Sequence, residues 1–509
     1  MKTRNLRRRT LHIEHSTTNT ELPDPRRPDH HSFSDDGWTF DIARSMLLFT
    51  LLSSFFLLSL VHAQASAVFT TLYSFSSTND GANPQAALVQ GSDGDFYGTT
   101  FAGGTNGDGT VFKISTNGSF TRLYSFTGGT DGEGPVAGLV EDSDGNFYGT
   151  TSVGGIHAGT NGYGTVFQIS TNGVLTGVHS FTGFNDGAYP QAALVQGSDG
   201  YFYGTTYAGG AYSNQYGGFG TVFKINNNGA LTNLHSFSGG NDGGYPAGGL
   251  AQGTDGNFYG TTVNGGTNGS WGSVFKITTN GTLTSLHSFS PPGVGSAGPS
   301  GLMQGSDGYF YGTTFWGGVY GYGDGFGTAF QISTNGALTN LYLFLPDNDV
   351  EHPHAGLVQG SDGNFYGTTG SGGTNSYGTV FKITPNGALT SLYSFTNGID
   401  GSRPECPLVQ GSDGSFYGTS SSGGFGGAGT IFRLTIMPEF QAVTLTNSTL
   451  SLTWSTEAGG RYQLQCNSNL SSSNWINLNS PVTATGATLS TTDSVTNTPQ
   501  RFYRLVLLQ

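Results

Sequence analysis

The segment Gly360-Ser-Asp-Gly-Asn-Phe-Tyr-Gly-Thr-Thr369 decides the fold, because versions of it occur seven times in the 509-residue chain. Its Asp-Gly pair recurs with steps of 51, 55, 56, 52, 55 and 51 residues, at Asp93, Asp144, Asp199, Asp255, Asp307, Asp362 and Asp413. A fixed period of about 50 residues indicates a propeller, a solenoid or an array of repeats. The architecture therefore follows from this repeat.

Each repeat carries four β-patterned segments separated by turn residues. In the second repeat these are residues 120–126, 137–141, 146–151 and 165–170. Asp-Gly and Asn-Gly between such segments are strong hairpin signals, since both residues tolerate positive φ. Four antiparallel strands per repeat predict one propeller blade. We expect the recurring Asp-Gly aspartates to make turns rather than calcium sites, because each turn offers only one carboxylate.

The two ends of the array predict how it closes. It opens with one aromatic strand, residues 69–75, that is not preceded by the other three strands of a repeat. It ends with residues 430–434, which are not followed by an aromatic strand of this kind. Pairing these two segments would complete one blade and remove exposed sheet edges. The predicted fold is all-β: a seven-bladed β-propeller with one-plus-three strand closure, then a small C-terminal β-sandwich-like module. Small-residue segments such as Ala86-Ala87 and Ala137-Gly138 are expected to form the innermost strands.

The chain divides into four predicted regions. Residues 1–45 are a polar lead, which indicates a true translation start near Met46, and residues 46–65 are a secretory signal segment. The apolar run at 47–61 is shorter than the roughly 20 residues that a spanning helix needs, so the mature chain is expected to have no transmembrane span. Residues 66–436 are the repeats, and residues 437–509 form the C-terminal module, with Trp454, Tyr462, Trp475 and Phe502 as candidates for its core.

Composition limits the possible partners. The net charge is −14, and beyond residue 45 there are 10 Lys and Arg against 25 Asp and Glu. Nucleic acid is therefore not an expected partner, because few cations are present to neutralise phosphates. The acidic surface favours solubility, and we expect a monomer. Cys406 and Cys466 fall in different predicted domains, which favours two free thiols over a bridge.

Two further sets of polar residues recur with the repeat. An aspartate precedes the small-residue segment in six repeats, at Asp80, Asp131, Asp186, Asp242, Asp349 and Asp400. An Asx-turn explains it better than a cation-binding ring. A tyrosine or histidine occupies one position of the aromatic strand, as Tyr73, Tyr124, His179, His235, His287, Tyr342 and Tyr393. Packing and hydrogen bonding of a polar-tipped aromatic are expected there rather than metal ligation. No metal and no cofactor are predicted.

The loop that follows Gly-Thr-Thr varies most between repeats, from 9 to 14 residues. In a propeller it opens on the same face as the loop before the innermost strand, and loops held by a rigid scaffold often carry function. The versions in repeats three to five are rich in aromatic residues, which suit a binding surface. The candidate ligand-binding residues are Tyr207, Tyr212, Tyr216, Trp271, Trp316, Tyr320 and Tyr322. Packing of these loops on themselves is an equal alternative.

The repeat resembles the GloVer tandem repeat. The resemblance rests on the unit Leu-Tyr-Ser-Phe, Asp-Gly, Pro, Leu-Val-Gln-Gly-Ser-Asp-Gly-Asn-Phe-Tyr-Gly-Thr-Thr, Gly-Gly and Gly-Thr-Val-Phe-Lys-Ile, and it covers residues 68–436. It implies an exported bacterial protein, secreted or at the cell surface, and supplies no activity or catalytic residues. Family members carry variable C-terminal anchors, whereas this chain ends in Arg-Leu-Val-Leu-Leu-Gln.

Three functions follow as hypotheses. The first is an exported, non-catalytic protein that binds a glycan or a protein at the cell surface through the aromatic loops. The second is a polysaccharide lyase or glycosidase using acids on the same face, where Glu133, Glu351 and Glu405 occur. The third is a purely structural surface component. No nucleophile elbow, zinc-protease motif or phosphate loop occurs in the sequence, so we expect the protein not to be an enzyme.

Overall fold

The computed structural model describes residues 11–14, 67–156, 162–212, 217–267, 271–290, 296–318, 325–345, 350–468, 474–495 and 500–508. The predicted signal segment 46–65 and Asp349 lie outside these ranges. Every regular secondary-structure element within these ranges is a β-strand. The repeats form four-stranded antiparallel sheets. The predicted all-β chain of repeated four-stranded units is confirmed.

Each sheet has four strands, which we number one to four by their order across the sheet. The first strands are only two residues long: Val89–Gln90, Val140–Glu141, Val195–Gln196, Ala251–Gln252, Met303–Gln304, Val358–Gln359 and Val409–Gln410. The second strands carry the Phe-Tyr-Gly motif: Phe96–Thr100, Phe147–Thr151, Phe202–Thr206, Phe258–Thr262, Phe310–Trp316, Phe365–Thr369 and Phe416–Ser420. Sheets 1 to 7 are named here in the order of these second strands.

The third and fourth strands complete the sheets. The third strands are Thr110–Ile114, Thr165–Ile169, Thr221–Ile225, Ser273–Ile277, Thr328–Ile332, Thr379–Ile383 and Thr430–Ile436. The fourth strands of sheets 1 to 6 are Phe120–Ser125, Leu175–Ser180, Leu231–Ser236, Leu283–Ser288, Leu338–Leu343 and Leu389–Ser394. Sheet 7 takes its fourth strand, Ala67–Ser74, from the beginning of the array, and this strand pairs antiparallel with Thr430–Ile436. In sheet 5 an extra strand, Ser296–Pro299, pairs with Phe310–Trp316.

The glycine of the Phe-Tyr-Gly motif makes room for the ring of the neighbouring third strand. A Cβ atom on Gly260 would lie 2.5 Å from Cζ of Phe275 and 2.8 Å from Cδ2 of Leu250. Phe275 is fully buried and belongs to the core between sheets 3 and 4. The recurring glycine is thus a packing requirement, because the core around it has no spare volume.

Neighbouring sheets are joined by aromatic stacking. The motif tyrosine of each sheet stacks on the motif phenylalanine of the next, with ring centroids 3.9–4.3 Å apart, in the pairs Tyr97–Phe147, Tyr148–Phe202, Tyr203–Phe258, Tyr259–Phe310, Tyr311–Phe365, Tyr366–Phe416 and Tyr417–Phe96. The last pair joins sheet 7 to sheet 1. Thr419 of sheet 7 also donates to the carbonyl of Ala86, which precedes sheet 1, at 3.3 Å.

The small-residue segments do not form the first strands themselves. The paired residues begin after them, at Val89 in sheet 1, and Ala86 lies in a bend. The segments instead approach one another between repeats, since a Cβ on Gly138 would lie 3.0 Å from the carbonyl oxygen of Ala87. Small side chains are needed here because the backbones of neighbouring repeats converge.

The C-terminal module holds two sheets. One is made of Phe440–Thr446, Thr449–Ser455 and Thr488–Ser494. The other has the order Leu11–Glu14, Gln500–Leu508, Arg461–Asn467, Ile476–Asn477, with Val482–Thr483 also pairing with Arg461–Asn467. The predicted core residues Trp454 and Tyr462 pack in the module's core, whereas Trp475 lies under the guanidinium of Arg504. Cys406 and Cys466 are buried free thiols.

The module contacts the turn side of the repeats through a short loop that begins at Glu457. The Glu457 carboxylate accepts hydrogen bonds from the Ser361 hydroxyl and the Gln410 side-chain amide, both at 2.7 Å. The Ala458 amide donates to the same Ser361 hydroxyl at 2.7 Å. The loop therefore rests on the Ser-Asp-Gly turns of sheets 6 and 7.

Candidate functional site

The Ser-Asp-Gly aspartates have structural partners. In Asp199, Oδ1 accepts from the Tyr201 amide and Oδ2 accepts from the Tyr203 hydroxyl at 2.7 Å. The tyrosine bond recurs in six sheets, and in sheet 2 Asp144 bonds the Asn146 side chain instead. The turn is closed by backbone bonds such as Gly200 to Gly197. The predicted turn role is confirmed.

The second aspartates bind the Tyr/His positions. Oδ2 of Asp80 accepts from the Tyr73 hydroxyl at 2.9 Å, and Asp242 pairs with Nε2 of His235 at 3.0 Å. Burial alone would raise the pKa of Asp242, but the hydrogen bonds from His235 and Ser238 outweigh it, so its pKa is lowered. The predicted packing and hydrogen-bonding role is confirmed for Tyr73, Tyr124, His179, His235 and Tyr393. Among the described residues no group of three His, Cys, Asp or Glu side chains is placed to hold a metal ion.

Sheet 4 lacks this aspartate, because Gly295 takes its place in the sequence. Nε2 of His287 is consequently buried with no hydrogen-bond partner among the described residues. Burial lowers the pKa of His287. This exception indicates that the aspartate of the other sheets is there to accept a hydrogen bond from the histidine or tyrosine.

The opposite face of the sheets is formed by two loops of each repeat. The connecting loop runs from the fourth strand to the next first strand, and the variable loop follows the second strand. Isolated bridges join the two, for example Ala82 with Ala102 and Glu351 with Ser371. We call the surface they form the loop face.

Side chains on the loop face vary at positions where the backbone is uniform. The residues that follow the second-strand Gly-Thr-Thr motif are Phe101, Ser152, Tyr207, Val263, Phe315, Gly370 and Ser421. In six repeats the residues before the connecting-loop proline are Asn83, Gly134, Tyr189, Tyr245, His352 and Arg403, and those after it are Gln85, Val136, Gln191, Ala247, His354 and Glu405; the remaining repeat has Gly298 and Ser300 on either side of Pro299. All six residues before the proline have φ between 52° and 61°, including five that are not glycine.

These left-handed side chains are held at an energetic cost. A non-glycine residue with positive φ costs on the order of 1 kcal/mol, and such strain clusters at functional sites. Gly134 occupies the same position without this strain. The larger residues at the other sheets are therefore not required by the backbone.

Aromatic residues of sheets 3 and 4 meet on the loop face. Tyr207 and Tyr245 have ring centroids 5.1 Å apart, and Phe219 packs edge-on against Tyr245 at 5.5 Å. Phe219 also packs against the core between these sheets. One side of the loop face is thus an apolar surface anchored in the core.

A second aromatic group lies between sheets 5 and 6. Phe315 packs against Trp316 at 4.6 Å and against His354 at 4.1 Å, and Trp316 lies 5.1 Å from His352 (all between ring centroids). Phe315 and Trp316 belong to the lengthened second strand Phe310–Trp316, which fixes their position. Nε2 of His352 is buried without a partner among the described residues.

Charged residues of sheet 7 border this aromatic group. Arg403 Nη2 lies 3.1 Å from Glu405 Oε1, and the Ser421 hydroxyl donates to Glu405 Oε2 at 3.4 Å. His354 is exposed to solvent and packs against Phe315. Desolvation by the neighbouring protein lowers the pKa of His354, Glu405 raises it and Arg403 lowers it. Burial raises the pKa of Glu351 on the same loop.

The sequence-predicted site residues are distributed unevenly. Trp316, with 36% of its surface exposed, and Tyr207 lie on the loop face, and Tyr212 is 56% exposed on its variable loop. Trp271 packs against the core between sheets 4 and 5. Tyr216, Tyr320 and Tyr322 lie outside the described residues.

Four residues that border Phe315 and Trp316 were not among the predicted ligand-binding residues: His352, His354, Arg403 and Glu405, the last of which was named only as an acid for the enzyme alternative. Their signal was present, since each departs from the residues that other repeats carry at the same position. Seven copies of one unit act as an internal alignment, in which uniform positions build the scaffold and variable positions are free to recognise a ligand.

These features define a repeat protein of propeller-like sheets with a variable loop face. The chain belongs to the Gloeobacter/Verrucomicrobia repeat family, which it matches at residues 59–267, 130–326 and 298–463. The predicted GloVer resemblance is confirmed. A search of curated proteins gives no match.

Similar solved structures are distant. One is the extracellular domain of a hybrid two-component system from B. thetaiotaomicron, with a TM-score of 0.48, 11% identity, and coverage of 85% of this chain and 57% of that one. Another is the periplasmic gluconolactonase of Pseudomonas aeruginosa, with a TM-score of 0.42, 18% identity, and coverage of 61% and 85%. Neither bears on the chemistry of the loop face. No helix in the described part of the chain is long and apolar enough to cross a membrane.

Proposed function

We propose that the protein is an exported, non-catalytic binding protein whose ligand, a glycan or a protein, is held on the loop face of a closed seven-bladed propeller. Its C-terminal residues form a small β-sandwich that rests on the opposite face. The proposal has three parts: the closed ring, the location of the site and the export of the chain.

Support for a closed ring comes from its two ends. Strand Ala67–Ser74 completes sheet 7, and the stack of Tyr417 on Phe96 at 4.0 Å repeats the contact between every other pair of neighbouring sheets. One core cluster also combines Phe75, Phe96 and Tyr417. Without this pairing the two ends of the array would each present an additional unpaired edge.

The observation that carries the functional proposal is the contrast between the two faces. On the turn face the aspartates of six sheets bind their own tyrosines. In six sheets the glutamine or glutamate that ends the first strand also accepts from a serine or threonine amide of the preceding turn, as Gln410 does from Ser361 at 2.9 Å. On the loop face the side chains differ from sheet to sheet and are retained despite left-handed backbones. Specificity is therefore assigned to the loop face.

Support for export comes from the apolar run at residues 47–61 and from the repeat family. Expression of the full chain in a bacterium, followed by N-terminal sequencing of the protein outside the cytoplasm, tests this part. We expect a mature terminus near residues 64–66. Retention of the intact N-terminal region on a cytoplasmic protein would contradict it.

The location of the site is tested with two single variants of matched exposure. Trp316→Ala removes an aromatic that is 36% exposed on the loop face, and Tyr309→Ala removes one that is 41% exposed beside a Ser-Asp-Gly turn. Retention of the folded protein on immobilised polysaccharides and on envelope proteins is measured for each. We expect Trp316→Ala to weaken retention and Tyr309→Ala to leave it unchanged. The reverse order would move the site to the turn face, and product release from a polysaccharide that depends on Glu405 would make the protein an enzyme.

A further inference from the structure

We infer that the outer rim of the loop face contacts the surface of a zwitterionic lipid bilayer. Apolar side chains project from the loops of three sheets, where each connecting loop is counted with the sheet it enters. These apolar tips are Ile156 of sheet 2, Phe184 and Tyr212 of sheet 3, and Ile399 and Phe425 of sheet 7, with 65%, 70%, 56%, 73% and 90% of their surfaces exposed. The inference is independent of the glycan or protein ligand proposed above.

The two apolar tips of sheet 7 stand side by side on fixed loops. The glycine before Phe425 donates its amide to the carbonyl of the glycine before Ile399 at 2.8 Å, so the two loops are tied together. The Phe425 amide donates to the Ser74 hydroxyl at 3.1 Å, and the Ile399 carbonyl accepts from the Thr71 hydroxyl at 3.2 Å. Both tips are therefore anchored to the outermost strand of the sheet while their side chains stay exposed.

The apolar tips of sheets 2 and 3 are held by contacts of the same kind. The Ile156 amide donates to the Ser180 hydroxyl of a fourth strand at 2.8 Å. The Phe184 carbonyl accepts from the Gly210 amide at 2.7 Å, which ties Phe184 to the loop that carries Tyr212. The backbone of these tips is thus held in place by the sheets around it.

Other repeats carry polar residues at the same loop positions. The residues that match Phe425 in sheets 1, 4 and 6 are Thr105, Thr267 and Thr374. Each of these threonines also donates its amide to a serine hydroxyl of a fourth strand. The residues that match Ile399, directly before the recurring aspartate, are Asn79, Thr130, Asn185 and Asn241 in sheets 1 to 4. The backbone accommodates hydrophilic side chains here, so the fold does not require the apolar tips.

The acids nearest the apolar tips are engaged within their own sheets. Asp400, next to Ile399, is 5% exposed and accepts from the Tyr393 hydroxyl at 2.9 Å. Asp186, two residues after Phe184, pairs with Nε2 of a histidine at 3.2 Å. A glycine directly precedes four of the five tips in the sequence. Neighbouring side chains therefore neither cover the tips nor bring free charge beside them.

The arrangement of the apolar tips suits a bilayer better than a protein partner. A protein interface has an apolar centre inside a polar rim. In sheet 7 this order is reversed, because the tips are tied to the outermost strand while Arg403 and Glu405 lie nearer the segments on which neighbouring repeats converge. Sheet 1, between sheets 7 and 2, carries the polar residues Asn79 and Thr105 instead. A lipid interface accepts separated apolar side chains, because it is fluid and needs no matching shape.

Charge selects a zwitterionic lipid over an anionic one. Beyond residue 45 the chain has 10 Lys and Arg against 25 Asp and Glu, so an anionic surface repels it. At the rim of sheet 1 the Arg122 guanidinium donates to the Asn79 carbonyl, and this cation can face the phosphate of a zwitterionic headgroup. We therefore expect binding to depend on apolar area and hardly on salt.

Partitioning onto vesicles measures this contact. The full mature chain is mixed with phosphatidylcholine vesicles, and bound protein is separated by flotation. We expect binding that changes little between about 0.1 and 0.5 M NaCl and that falls when phosphatidylglycerol is added. The double variant Ile399→Ser with Phe425→Ser should lower the partition coefficient about tenfold or more. Tryptophan fluorescence of Phe425→Trp should be quenched by brominated phosphatidylcholine more strongly than that of the wild type.

Controls locate the contact and separate it from the proposed function. Val174→Ser removes a side chain of similar exposure, 63%, from the turn after the third strand of sheet 2, and should leave partitioning unchanged. Trp316→Ala should also leave it unchanged, and the double variant should keep any polysaccharide or protein retention that depends on Trp316.

Three results with vesicles would overturn the inference: no partitioning into phosphatidylcholine, equal partitioning of the double variant, or binding only to vesicles that contain phosphatidylglycerol. Self-association that the double variant abolishes, without vesicle binding, would also overturn it, because the apolar tips would then contact a second copy of the chain.

Discussion

Glu457 makes the docking of the C-terminal module depend on pH. Its carboxylate is 5% exposed, bonded by Ser361 and Gln410, and close to Asp362. Burial, with Asp362 adding to it, raises the pKa of Glu457 from 4.5 to about 7 despite those hydrogen bonds. Lys382 favours the charged form, and Tyr366 and Tyr462 are the other titratable groups facing it.

The sign follows from proton binding. Between pH 4.5 and 7 the docked module holds a proton on Glu457 that a solvated Glu457 would release. Docking is therefore strongest below pH 4.5 and weakens as the pH rises through 7. A shift of this size corresponds to about 3 kcal/mol, or roughly two orders of magnitude in the docking equilibrium.

Hydrogen exchange at the Ala458 amide measures this equilibrium, because that amide donates to Ser361 only when the module is docked. After correction for intrinsic exchange, we expect protection to fall about 100-fold from pH 4.5 to above 7. Glu457→Gln should remove the pH dependence, and Glu439→Gln, which neutralises another acid of the same segment, should preserve it. Protection that is constant or rises over this range in the wild type would refute the reasoning, as would an unchanged slope in Glu457→Gln.

Three further predictions concern the scaffold and are checked by chemical denaturation. Gly260→Ala should destabilise the protein by about 1–3 kcal/mol, because its Cβ would enter the ring of Phe275 at 2.5 Å. His287→Phe should stabilise it by about 1 kcal/mol by removing a buried nitrogen that has no hydrogen-bond partner among the described residues, whereas His235→Phe, which breaks a bond to an aspartate, should destabilise it. Tyr203→Phe should cost about 1.5–3 kcal/mol through loss of the hydroxyl bond to a carboxylate, and no change in midpoint would contradict it.

The repeating part of the fold could be predicted because each unit is locally specified. The Asp-Gly turns and the alternation of strands follow from spacing and turn chemistry. The described second aspartates make no Asx-turn of the expected kind, because Asp242 accepts from the Ser238 amide four residues earlier rather than from an amide two residues later. The position of the first strand was less predictable: Ala86 is small because neighbouring repeats converge there, yet the paired residues are Val89–Gln90. Local sequence does not distinguish a small residue in a strand from one beside it.

The cluster around Phe315 and His354 was not predictable, because its residues come from three repeats. Phe315, His354, Gly370 and Glu405 meet only after sheets 5, 6 and 7 pack side by side. The aromatic content of the variable loops indicated that the ligand binds on the loop face. It predicted both Trp271 and Trp316 as ligand-binding residues, but Trp271 packs against the core. Whether a loop aromatic packs inward or stays exposed depends on neighbours from another repeat.

The most direct test of a loop-face binding site is oxidative footprinting of two aromatic side chains. Trp316 on the loop face and Tyr309 on the turn face expose 36% and 41% of their surfaces, so both react in the free protein. The protein is oxidised by hydroxyl radicals with and without a saturating concentration of a polysaccharide or envelope protein that it retains. We predict that the bound ligand protects Trp316 and leaves Tyr309 unchanged. Protection of Tyr309 with Trp316 unchanged would contradict it.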